Sequence, residues 1–336
     1  MVDSICNMKL GNTTMVKLGY ALSSEEHAPN DLVKHAVRAE EVGFTFGLIS
    51  DHFHPWVDKQ GQNPMVWSVL GGIAAQTKTI RMGTGVTCPM IRIHPAIIAQ
   101  AAATVACMMP GRFFLGVGTG ENLNEHILGD KWPPIDTRLE MLEESVEVMR
   151  QLWEGGMQSF SGQFYDVENA RLYTLPEEPI EVYVAASGEK SALLAGQIGD
   201  GFINTAPDAE PIDTFEQSGG QGKPKMGMMA VCWAKDEKTA KATALEWWPN
   251  AALKGQLSQE LALPAHFEQA TQDATEDQVA EKVVCGPDSE KYLEKMKAYA
   301  DAGYDHIYFH QVGPDQEGFF KFYEKELAPR WEKAVA

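Results

Sequence analysis

Four short polar clusters hold most of the residues in this chain that could do chemistry. They are Ser50–Trp56 (SDHFHPW), Gly85–Pro89 (GVTCP), Gly118–Glu125 (GTGENLNE) and Ala186–Lys190 (ASGEK), and each follows a short apolar, strand-like run. An imidazole such as His52 titrates near working pH and is the commonest general acid or base. Asp51 is poorly placed to orient it, because successive residues at a strand end tend to point opposite ways. A hydrogen bond within its own loop is the plain alternative for His52, but a strand end among other polar loops favours a chemical role. Trp56 offers a wide apolar plane on which a ligand can stack or the barrel top can pack. Glu121 closes the run GVGTGE at Gly116–Glu121, which departs from a dinucleotide fingerprint in its sixth position and its mid-chain place. It reads instead as a tight turn that lets a flat ligand approach the backbone. Glu121 is then either a pocket carboxyl with a raised pKa or a carboxylate favoured by a helix start. Ser187, Gly188, Glu189 and Lys190 stand at another helix start, where free amides suit a phosphate and Ser187 could equally be a plain cap.

The elements that must position these clusters alternate along the chain. Strand-like runs fall at Val16–Ala21, Phe46–Ser50, Ile80–Thr84, Phe113–Val117, Ile180–Ala185, Gly201–Asn204, Lys225–Trp233 and His306–Phe309. Helical patterns separate them at Asn30–Val42, Val66–Gln76, Pro95–Met108, Thr137–Trp153, Gly188–Ile198, Glu237–Trp248 and Ser289–Ala302, with a last one at Gly318–Leu327. Asn30 reads as an N-cap and Gly43 as a stop. Such alternation implies a parallel sheet with helical crossovers. About eight strands fit an α/β fold of the (β/α)8 TIM barrel type, in which all βα loops meet at one end. The stretch Gln158–Tyr173 reads as a β-hairpin insertion turning at Ser161–Gly162, and Pro249–Thr275 as an irregular, lid-like one. The expected organisation is an N-terminal extension at 1–15 and one barrel domain at 16–336 with an insertion near 249–275.

Composition narrows the function. A formal charge of −19 disfavours nucleic-acid binding, which needs clustered Lys and Arg. No apolar run approaches the ~20 residues that span a bilayer, so no membrane association is expected. No signal segment is visible at the start, and a cytoplasmic protein is expected. The five cysteines are scattered without ligand spacing, which argues against a disulfide framework and against a metal site. Cys88, within a rim loop, reads as a small packing residue.

With those residues placed, the chain resembles the luciferase-like barrel superfamily and, more closely, its coenzyme F420 (deazaflavin)-dependent oxidoreductases. The resemblance is carried by Leu18–Pro29, Ser50–Trp56, His94–Thr104, Pro110–Glu125, Val146–Trp153 and Leu327–Arg330. It implies an enzyme that moves a hydride between C5 of the deazaflavin and the carbinol carbon of a small-molecule alcohol or sugar, and a homodimer. It implies that His52 is the general base, that Trp56 stabilises the substrate, and that Glu121 sits near the deazaflavin ring as proton donor or electrostatic partner. Glu25 matches a further acidic pocket residue. Asp51, Val86, Cys88, Thr119, Gly120 and Asn124 match positions lining the cofactor, with Ser187, Gly188, Glu189 and Lys190 near its phosphate. Gly85–Val86 matches a non-prolyl cis peptide. The chain departs from the glucose-6-phosphate enzymes of the group: Asp208 stands where they carry a lysine, and Lys282 where they carry an arginine, with Lys254 a candidate for a remaining lysine. A neutral alcohol or sugar is therefore the expected substrate. A sugar-phosphate dehydrogenase and an FMN-dependent monooxygenase are the alternatives.

Overall fold

Eight apolar runs become eight parallel strands of one closed sheet in the computed structural model, which describes residues 16–335. They are β1 Lys17–Leu22, β2 Phe46–Ile49, β3 Arg81–Thr84, β4 Phe113–Val117, β5 Glu181–Ala185, β6 Gly201–Asn204, β7 Lys225–Cys232 and β8 His306–Gln311. Each pairs with the next, and β8 returns to β1 with His306 opposite Lys17. The expected (β/α)8 barrel is thus present. A two-residue strand, Val284–Cys285, adds to β7 opposite Val231 and Cys232. The expected extension at 1–15 lies outside the described residues.

Side-chain alternation along the strands separates two apolar layers. Phe46, Leu48, Phe114, Tyr183, Ile203, Met226 and Tyr308 form one buried cluster, the barrel interior. Residues of opposite parity, such as Tyr20, Ile49, Leu115 and Val184, join the helices in a much larger one. Small residues inside the ring make space for large ones. A Cβ on Gly83 would stand 2.2 Å from the Phe114 ring, and one on Gly19 would stand 2.5 Å from Phe46.

The crossover helices Val66–Gln76 and Pro95–Met108 have the expected bounds. The first helix does not start at an Asn30 cap. It runs Pro29–Glu41 with Ala28 as N-cap, because the ring of Pro29 presets the first helical position and needs no amide partner. Strands Gln158–Ser161 and Asp166–Ala170 pair antiparallel as the expected hairpin. The terminal helix begins earlier than expected, at Gln316, where the Asp315 carboxylate accepts from the Gly318 amide at 2.9 Å. β8 also runs two residues further than expected, through His310 to Gln311. Among the described residues, no helix is long and apolar enough to cross a membrane.

Candidate active site

The C-terminal ends of the strands enclose a cavity of about 810 Å³, lined by loops that follow β1 to β6 and by β8 itself. His52, in the loop after β2, stands between two carboxylates on its wall. Its Nδ1 lies 3.3 Å from Glu25 Oε1, off the line of a hydrogen bond, and its Nε2 lies 3.9 Å from Glu121 Oε2. The Trp56 ring meets the imidazole edge-on at 4.9 Å. Glu25 is fixed by the Ser50 hydroxyl at 2.6 Å and the Ser23 hydroxyl at 3.0 Å. Burial pushes the Glu25 carboxyl up, but His52, the Ser50 hydroxyl and a backbone amide together outweigh burial and hold it below the ordinary glutamate range. An ionised Glu25 stabilises a proton arriving on His52.

Asp51 and His52 point opposite ways, as neighbours at a strand end do. Asp51 accepts from the Thr87 hydroxyl at 2.8 Å and pairs with Arg92 at 2.9 Å, and Arg92 also faces Glu125 at 3.5 Å. Asn124 accepts from the amides of Phe53 and His54 through Oδ1, at 2.9 and 3.2 Å, and so sets the shape of the His52 loop. Cys88 packs behind Gly120, where an added Cβ would come within 2.7 Å of its Sγ. Burial and the nearby Glu125 and Glu121 push its thiol well above the ordinary range, which leaves it inert. Asp51, Cys88 and Asn124 therefore stand behind the cavity wall and do not line it. The resemblance placed them on a ligand because sequence proximity to a rim loop does not distinguish its two faces.

The other expected residues line the cavity: Glu25, His52, Trp56, Gly85, Val86, Thr119, Gly120, Glu121 and Ser187 to Lys190. The Gly85–Val86 peptide is cis and Gly120 has φ +72°. Gly188 caps the helix Glu189–Ile198, whose first amides have no side-chain cap, and the space beside its Cα is open. Lys190, the only lysine or arginine among the described lining residues, pairs with Asp136 at 2.6 Å. The insertion after Trp248 roofs the site with short helices. Phe267 meets Trp56 at 5.2 Å, and Asn122 Nδ2 donates to the Glu260 carbonyl at 2.9 Å.

Sequence reasoning missed Asn204, Trp248, Tyr308 and His310, all of which line the cavity. His310 had a visible signal, since it sits at the end of the last strand. Asp208, Lys254 and Lys282 are not on the cavity wall. Lys282 lies in a separate cleft with Lys295 and Glu281. Asp208 is thus not set against a ligand in the cavity, and among the described lining residues the one lysine, Lys190, is exposed and pairs with Asp136.

Comparison with known proteins places this architecture. A sequence model of the family described as luciferase-like monooxygenase matches residues 8–306. The F420-dependent glucose-6-phosphate dehydrogenase of Segniliparus rotundus is 38% identical over 328 residues, covering 94% of this chain and 98% of that protein. The enzyme of the same name from Mycobacterium avium is 36% identical over 329 residues, with 94% and 98% covered. Among solved structures, an F420-dependent secondary alcohol dehydrogenase in complex with an F420–acetone adduct superposes with a TM-score of 0.87 at 29% identity, covering 94% of this chain and 98% of that one. The chain belongs to the luciferase-like family and, within it, to the F420-dependent oxidoreductases.

Proposed function

We propose that this protein is an F420-dependent dehydrogenase of an uncharged alcohol or sugar, with His52 as the base that takes the hydroxyl proton. The observation that carries the reading is His52, held between Glu25 and Glu121 on the wall of a cavity whose one lysine or arginine among the described residues is Lys190, paired with Asp136. The residues present fit the cofactor. Val86, Ala185, Ile203 and Met228 give the cavity an apolar wall for a flat ring, and the uncapped amides after Gly188 suit a phosphate. Bound there, F420 supplies a deazaflavin carbon, C5, that accepts a hydride.

The chain's residues handle the rest of the balance. The carbinol carbon loses its hydrogen with the electron pair, the hydroxyl loses its proton to His52, and a carbonyl forms. Glu25 stabilises the resulting imidazolium, and the reverse direction returns the same proton. Trp56 and Glu121 line the cavity on either side of His52, where they would meet the substrate and the bound ring. A phosphate ester would bring its dianion near Glu25 and Glu121 with only the engaged Lys190 in opposition. The relatives named for glucose 6-phosphate and for a secondary alcohol bracket the substrate choice, and the carboxylates of the wall favour an uncharged substrate.

The test follows F420 absorbance under air with purified protein, simple alcohols, glucose and glucose 6-phosphate. Bleaching with an alcohol or glucose but not with the phosphate ester is expected. Bleaching by glucose 6-phosphate alone would overturn the substrate reading. FMN binding with oxygen uptake, in place of F420 binding, would overturn the dehydrogenase.

A further inference from the structure

The β1 loop carries two adjacent glutamates that serve two different histidines. Glu25 faces His52, as described, while Glu26 is buried and turns to β8. Its Oε1 accepts from the Gly313 amide at 2.7 Å, and its Oε2 pairs with His310 Nε2 at 2.9 Å. A carboxylate at that distance holds the proton on Nε2 and leaves Nδ1 with the lone pair. Nδ1 makes no hydrogen bond among the described residues, and the ring, set edge-on to Trp248 at 4.4 Å, lines the cavity. Alternation along β8 puts His310 on the same inner face as Tyr308.

Buried polar groups are almost always hydrogen-bonded, so an acceptor without a partner that faces the cavity marks a place where a ligand supplies one. His52 already serves the reacting hydroxyl. We propose that His310, positioned by Glu26, accepts a hydrogen bond from a further hydroxyl of the substrate, so that the site selects an uncharged polyol or sugar over a simple alcohol. The inference rests on the dehydrogenase reading above and narrows its substrate.

The experiment compares glucose with tetrahydropyran-2-ol, the same ring stripped of its other hydroxyls, in F420 bleaching by the wild type and by His310→Ala and His310→Gln. A site built to bond a hydroxyl discriminates strongly against an analogue that lacks it. Wild type is expected to prefer glucose in kcat/KM, and His310→Ala to cut that preference by about tenfold, mainly through KM, as the loss of one uncharged hydrogen bond predicts. His310→Gln, which keeps an acceptor, should recover part of it. Calorimetric titration of the F420-loaded protein with glucose reads the same contact without turnover, with affinity expected to fall in His310→Ala. Equal loss on both substrates, or no preference in the wild type, would overturn the proposal while the bleaching by tetrahydropyran-2-ol keeps the dehydrogenase intact. If no carbinol bleaches F420, the dehydrogenase reading fails, and unchanged glucose affinity in His310→Ala would sink the hydroxyl contact separately.

Discussion

Two charged clusters lie on opposite faces of the same loop, and they use the same residue types for different ends. On the cavity face, His52 stands between Glu25 and Glu121. Behind the wall, Arg92 stands between Asp51 and Glu125. Asp51 and His52 are neighbours in sequence, yet one is part of the frame and the other is free to work. The difference lies in unspent hydrogen bonds. Asp51 is occupied by Thr87 and Arg92, whereas His52 has carboxylates near both ring nitrogens and a hydrogen bond to neither. A group with satisfied partners stabilises a fold, and one whose ring nitrogens are left unbonded can exchange a proton with a ligand.

Removing the centre of each cluster should separate the two roles. His52→Ala is expected to lower turnover roughly 10²–10⁴-fold, the size of a general-base contribution, with F420 affinity and the urea midpoint near wild type. Turnover close to wild type would unseat His52 as the base. Arg92→Met should act the other way. It leaves Asp51 buried without its counter-charge, and breaking a buried pair on one side costs about 3–5 kcal/mol. Urea unfolding measures this directly, and a midpoint unchanged from wild type would show that the rear cluster does not hold the wall.

The same contrast explains what could be read before the structure was known. Strand runs such as Phe113–Val117 and helices such as Pro95–Met108 are legible because their apolar periodicity is strong and their ends are marked by Pro or Gly. The front of the site was legible because Ser50–Trp56 and Gly118–Glu125 are continuous in sequence. What stayed hidden was pairing at long range and the facing of individual residues. Glu26 and His310 are 284 residues apart, and nothing local ties them together. His310 was also lost by ending β8 at Phe309, one residue short of where parity would have pointed it inward. Cys88 and Asn124 sit beside rim residues but turn away from the cavity, which sequence spacing does not record. The roof around Gly255 and Phe267 has only short helices, too brief to leave a periodic signature.

The smallest effect probes the rear cluster by pH. Burial lifts the Glu125 carboxyl from 4.5 to about 7, against the opposing pull of Arg92. Between those values the folded chain keeps a proton that the unfolded chain has already released. Stability contributed by this group is therefore present below about pH 4.5 and declines as pH rises toward 7. Glu125→Gln has no proton to lose and still offers an oxygen to the Arg92 amide, which Glu125 Oε2 accepts at 2.8 Å. At pH 5 the variant should lie within about 1 kcal/mol of the wild type. At pH 8 it should be more stable by about 2–3 kcal/mol, the linkage of about 1.4 kcal/mol per pKa unit between 4.5 and about 7, in which the pull of Arg92 is already counted. Urea midpoints at the two pH values give the comparison. A gap that stays constant with pH would mean that Glu125 is ionised throughout, and that the rear cluster is a charged triad at rest and not a neutral acid beside one ion pair.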